Sequence, residues 1–199
     1  IVLLKPKMVF ITDIRRGNLH TQLMYKALFE MSADRADFIG RLFNKKRPDG
    51  LTTKSTADEI MTAYWNAPTN TTAYDASLKA IQDHLTKTHT LPLDKDDLDG
   101  IAYVYYNFYW FGPSITYNSS QGTNNGRGGG NMANYYDLMV ANDGTPVGRS
   151  YLSSEETFKV MKDLEERNLF VPVVGNFGGP KALRAVGKYI RDHGTTVMA

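Results

Sequence analysis

The chain has 199 residues, 42% of them hydrophobic and 22% charged, which suits one folded domain with a sizeable core and excludes a disordered chain. Its 23 basic and 21 acidic residues leave a net charge of +2, too small to act as an electrostatic footprint for nucleic acid or anionic lipid. With no cysteine, a disulfide framework, a thiolate zinc site and a cysteine nucleophile are all excluded.

No apolar run approaches the roughly 18 residues that cross a bilayer, and no signal-peptide order opens the chain, so a cytoplasmic protein without membrane partner is expected. The chain starts on Ile1 and stops on the apolar run Thr195 to Ala199, as a piece of something longer would.

Pro6 precedes a β-branched run from Lys7 to Thr12 that reads as a buried strand ending at Asp13. Asn18 is a candidate cap for a helix whose Leu19, Leu23, Met24, Ala27, Leu28 and Met31 share one face. A second helix follows from Asp34 to Phe43, with Phe38, Ile39 and Leu42 inward. The turn Lys45 to Gly50 opens a middle region with helices over 55–65, 74–88 and 94–110. In the last of these, the aromatics from Tyr103 to Phe111 also suit a strand, but the acidic run Asp94 to Asp99 favours a helical first turn. Residues 118–134 are rich in Gly, Asn and Ser and read as a flexible loop.

Ser153 and Glu156 have the spacing of a capping box ahead of Phe158, Met161 and Leu164. Leu169 to Val174 is a buried strand, Gly175 to Pro180 a tight turn, and Lys181 to His193 a helix with Leu183, Val186, Tyr189 and Ile190 inward. Thr195 to Ala199 is the next strand. Two apolar strands joined by a helix predict parallel neighbours with helices on both faces. The fold class is therefore α/β, a Rossmann-like doubly wound, mostly parallel sheet. Residues 1–44 and 153–199 build it, and 45–152 form a largely helical insertion.

Asp13, at the carboxyl end of a strand, stands where nucleotide-binding α/β folds place the acid that receives ribose hydroxyls, or else it pairs with Arg15 or Arg16 or caps the next turn. The turn Gly175-Asn176-Phe177-Gly178-Gly179 departs from G-x-G-x-x-G, yet its glycines admit a ligand close to the backbone, and Asn176 offers an amide to a base, carboxylate or reacting amine. A strand-to-helix turn needing positive φ accounts for the same glycines.

His84 and His89 stand five apart, which misses the i, i+4 spacing of a helical metal pair, and no H-E-x-x-H accompanies them, so no metal is expected. His193 suits a helix C-terminus. No G-x-S-x-G or P-loop is present, and the tract Gly126 to Gly130 reads as a lid or a loop. Tyr103 to Phe111 suits core packing or an oligomer interface better than base stacking, while Tyr117, Arg127, Tyr135 and Tyr136 flank the loop and could close over a site.

The segments Phe10-Ile-Thr-Asp-Ile-Arg-Arg-Gly-Asn-Leu19 and Val171-Pro-Val-Val-Gly-Asn-Phe-Gly-Gly-Pro-Lys-Ala-Leu-Arg-Ala-Val186 resemble those of an uncharacterised bacterial family with the fold of class I S-adenosylmethionine-dependent methyltransferases. The resemblance implies an S-adenosylmethionine cofactor on Asp13, Arg15, Gly175, Phe177 and Gly178, with Asn176 facing the transferred methyl group. It departs from that pattern at its start, where a first strand and glycine-rich cofactor loop are missing, and in the length of its middle region. A non-catalytic nucleotide-binding or protein-interaction module is the alternative function, and a hydrolase a weaker third.

Overall fold

A computed structural model describes residues 1–119, 132–145 and 148–197. The elements run β1 (Val9–Asp13), α1 (Arg16–Met31), α2 (Arg35–Leu42), α3 (Ala57–Asn66), α4 (Tyr74–Asp83), α5 (Lys95–Phe111), α6 (Tyr135–Val140), α7 (Glu155–Glu166), β2 (Phe170–Val174) and α8 (Ala182–Asp192). Most of the helices begin where the sequence supplies a cap. Asp34 accepts from the Asp37 N–H, Asp94 from that of Asp97, and Thr56 and Glu59 close a reciprocal box. The aromatic segment is helical, as the acidic first turn implies.

The fold is mixed α/β. Among the described residues the sheet has two strands, parallel, in the register Val9↔Phe170 to Asp13↔Val174. Val9 and Phe170 are in the core and Ile11 packs on it, so that face of the sheet meets α1, on which α7 packs in turn. Side chains alternate along a strand, so Phe10 points the other way. Its ring meets Tyr189 of α8 edge-on at 5.6 Å. The helices that follow β1 and β2 therefore cover opposite faces.

The core itself is helical. Phe29 of α1 and Phe38 of α2 stack at 4.5 Å, and Phe158 of α7 lies 5.2 Å from Phe29. Phe38, Ile39, Leu42 and Phe43 are fully buried, each such side chain contributing about 1.5–3 kcal/mol of burial. Helices α3, α4 and α5 join this core through Ile60, Tyr64, Ile81 and Tyr105, and α1 packs along α5.

Four expectations are corrected. The cap of α7 is Ser154 with Thr157 rather than Ser153 with Glu156. Ser153 donates to the Ser150 carbonyl, and Glu156 pairs with Lys5. Asn18 lies inside α1, whose cap is Arg15. Residues 195–197 form no strand, and 198–199 lie outside the described residues. The Thr195 N–H and hydroxyl both bond back to the Ile190 carbonyl, and Gly194 takes φ +61°, so Thr195 closes α8. Leu183 is exposed rather than inward, and Tyr189 stays half open while its ring packs on Phe10.

The α1–α5 contact rests on a close approach at Gly100. A Cβ there would lie 2.1 Å from Nδ1 of His20, whose ring is buried against α5. Alanine is a better helix former by about 1 kcal/mol, but this clash outweighs that gain. Gly100→Ala is expected to lower stability by about 1–3 kcal/mol, read as a fall in Tm. An unchanged or higher Tm would contradict the packing.

Candidate functional site

The carboxyl ends of β1 and β2 carry the sequence-predicted residues side by side. Asp13 is the last residue of β1, and its carbonyl accepts the Gly175 N–H at 2.8 Å, which joins the two turns. The Asp13 carboxylate receives the Arg15 N–H at 2.8 Å and the Asn18 amide at 3.0 Å. The Arg15 N–H above all, then the Asn18 amide, hold its pKa below the usual carboxylate value. Asp13 is thus an ionised acid at an exposed strand end that also caps the turn into α1. Asn18, missed as a site residue, is the side chain that orients it.

Arg15 donates to the Tyr117 hydroxyl at 2.8 Å, and its guanidinium lies over that ring at 6.0 Å. Tyr117 is the flanking aromatic that reaches this crest. Tyr135 instead lies in the core, hydrogen-bonded to Tyr151, and Tyr136 bonds Asp58 and Thr62 beside α3. Arg127 and the tract Gly126 to Gly130 lie outside the described residues.

In the opposite turn, the Asn176 side-chain oxygen accepts the Gly178 N–H at 2.9 Å, and its carbonyl accepts that of Gly179. Gly175, Gly178 and Gly179 do not have positive φ. The need for glycine at 175 is spatial: a Cβ would stand 2.7 Å from that of Ala182 at the start of α8. Phe177 is 60% exposed beside this turn. The crest therefore offers one carboxylate, one guanidinium, two aromatic faces and close backbone.

Below it, Arg16 clasps Asp97 through two 2.8 Å hydrogen bonds, and His20 Nε2 lies 3.0 Å from the same carboxylate. Chiefly through Arg16, Asp97 is held down at about 2. The other side of the His20 ring lies against Gly100, so this trio docks α1 on α5 rather than facing a ligand.

A second cluster brings together residues that the sequence reading set aside. Glu30, from the last turn of α1, meets His84 and His89, which open and cap the π-helical turn His84–Thr88 that follows α4. An α-helix carries residues five apart to directions about 140° from each other. Here the His89 N–H bonds the His84 carbonyl at 3.1 Å, the i to i+5 bond of a π-turn, and both rings fall on one side. A pair five residues apart is thus closed to an α-helix but open to a π-turn.

Among the described residues no helix is long and apolar enough to cross a membrane. Comparison with protein-family profiles, with curated protein sequences and with solved structures gave no match.

Proposed function

We propose that the crest of the sheet binds an adenosyl cofactor of the S-adenosylmethionine type and that the protein is a Rossmann-like, methyltransferase-related domain. The observation that carries this reading is the departure of α1 and α8 to opposite faces of two parallel neighbours. In open α/β sheets, ligands bind in the crevice outside the carboxyl ends of strands where the helices part. Asp13 and the Gly175 to Gly179 turn flank that crevice. On this reading Asp13 receives the ribose hydroxyls, Arg15 meets an anionic group and Phe177 lies against a planar base. Methyl transfer asks mainly for positioning in a dry site, so the reading requires no acid–base dyad.

The engagement of the Asn176 side-chain oxygen within its own turn favours a second reading, in which the crest binds a nucleotide without catalysis. Titration calorimetry with S-adenosylmethionine and S-adenosylhomocysteine tests both. Saturable micromolar binding is expected, weakened about tenfold or more in Asp13→Ala. Asp13→Asn keeps the turn's acceptor and separates loss of charge from loss of the cap. Absence of binding by the folded chain, or an affinity indifferent to Asp13, would remove the proposal.

A further inference from the structure

Glu30, His84 and His89 converge on one point, remote in chemistry from the nucleotide-type crest. Glu30 Oε2 lies 2.6 Å from His84 Nε2 and 2.5 Å from His89 Nε2, and the three donor atoms lie within 4.8 Å of one another. We propose that these three side chains bind a divalent transition ion of the zinc class.

Three features argue for an ion rather than a simple clasp between helices. The first is the donor set, two imidazoles and one carboxylate without thiolate, which suits zinc and its neighbours and leaves coordination positions open. The second is orientation. The other carboxylate oxygen of Glu30 is held by Lys26 Nζ at 2.5 Å, which leaves Oε2 alone for the centre, as hydrogen-bonded outer partners orient ligating carboxylates. The third is the π-turn, a rare departure from α-helical geometry concentrated at functional sites, whose effect here is to bring His84 and His89 together. The rings stand at 72° with centroids 5.1 Å apart, so each points its own Nε2 at the carboxylate rather than stacking on the other.

The site lies between surface and core. The side chains of Glu30, His84 and His89 keep 8%, 19% and 17% of their exposure, enough for an ion to enter and too little for bulk hydration. In the metal-free arrangement the hydrogen bonds to Oε2 occupy the centre. An ion with bonds of about 2.0–2.1 Å needs its ligand atoms about 3.3 Å apart in a tetrahedron. Loading therefore calls for small side-chain rotations, with each imidazole neutral and its proton on Nδ1. Lys26 places a positive charge next to the carboxylate, so micromolar rather than nanomolar affinity is expected.

The test is calorimetric titration of the full chain, first stripped with a chelator, with Zn²⁺, and in parallel the visible absorption of added Co²⁺. One equivalent of Zn²⁺ should bind, with Mg²⁺ and Ca²⁺ failing to compete because the imidazole donors disfavour hard cations. His84→Gln and His89→Gln should each weaken binding at least about tenfold, while His193→Gln, on an exposed helix end, should leave it unchanged. Folding of each variant is checked by far-ultraviolet circular dichroism. Failure of the folded wild-type chain to bind Zn²⁺ would overturn the proposal outright. Binding that survives in the His84→Gln/His89→Gln double variant would place the ion elsewhere and overturn it equally. Neither result bears on nucleotide binding at the crest.

Discussion

Arg35→Met is expected to remove about 3–5 kcal/mol of stability, a large share of the 5–15 kcal/mol that holds a typical domain together. The Arg35 side chain is 2% exposed and is among the largest fully buried side chains of the described residues. Its Nε donates to Glu155 at 2.8 Å, Nη1 to the Leu152 carbonyl at 2.6 Å, and Nη2 to the carbonyls of Thr53 and Ser55 at 3.0 and 2.7 Å. One guanidinium thus fastens the start of α2 to the loop before α3 and to the start of α7. Methionine fills much of the volume but leaves Glu155 unpaired and three carbonyls without their donor. Urea denaturation reads the loss as a lower midpoint at unchanged slope. The double variant Arg35→Met/Glu155→Gln should cost less than the sum of the two single changes, because the second removes a charge that the first has already orphaned. A loss below about 1 kcal/mol would show that water replaces the guanidinium without penalty.

Glu165→Met is expected to act in the opposite direction, raising stability at alkaline pH. Glu165 is 2% exposed, and its Oε1 has no hydrogen-bond partner. Burial pushes its carboxyl up to about 8, opposed by the Lys26 ammonium and helped by the charge of Glu30. Its place in the last turn of α7 adds to the cost of a negative charge there. Between the ordinary value of 4.5 and about 8 the unfolded chain gives up this proton while the folded chain keeps it. The folded state binds more protons across that window, so stability falls as pH rises through it and levels off above about 8. The accumulated loss is about 4–5 kcal/mol. Methionine has no proton to lose, so the variant should be more stable than the parent at pH 9 by about that amount and close to it at pH 4.5. Chemical denaturation at both pH values decides it; parallel pH profiles for parent and variant would mean that Glu165 ionises freely.

Legibility in the sequence followed the range of the interaction. Asp34 and Asp94 cap α2 and α5 where local chemistry says they should, and Phe170 to Val174 is a strand as its apolar run implies, but its parallel neighbour is β1 rather than the expected run from Thr195. Adjacent equivalents were harder: Ser153 and Ser154 both suit a cap, and Ser154 takes it while Ser153 bonds the Ser150 carbonyl. Thr195 to Val197 has strand composition, but the Thr195 N–H and hydroxyl are engaged in closing the end of α8. Asp13 and Asn176 were readable as strand-end residues, whereas the hold of Asn18 and Tyr117 on that crest depends on side chains meeting across turns. Arg35 looks like any other surface arginine until α2, α7 and the loop before α3 close around it. The Glu30 cluster was hidden more deeply, because a π-turn leaves no period in the sequence.

The placement of α8 has a consequence for motion. Ala182 is its only buried residue, and Phe10 to Tyr189 is its aromatic contact with the sheet, whereas α1, α2 and α7 share a continuous core. Stability is then graded along the chain, with α8 able to lift away at a fraction of the free energy that unfolds the rest. Because Gly175 and Ala182 touch, the turn that flanks the crest moves with it. A ligand seated there spends part of its binding energy holding α8 down, and its measured affinity is the intrinsic one reduced by the fraction of molecules in which α8 is docked.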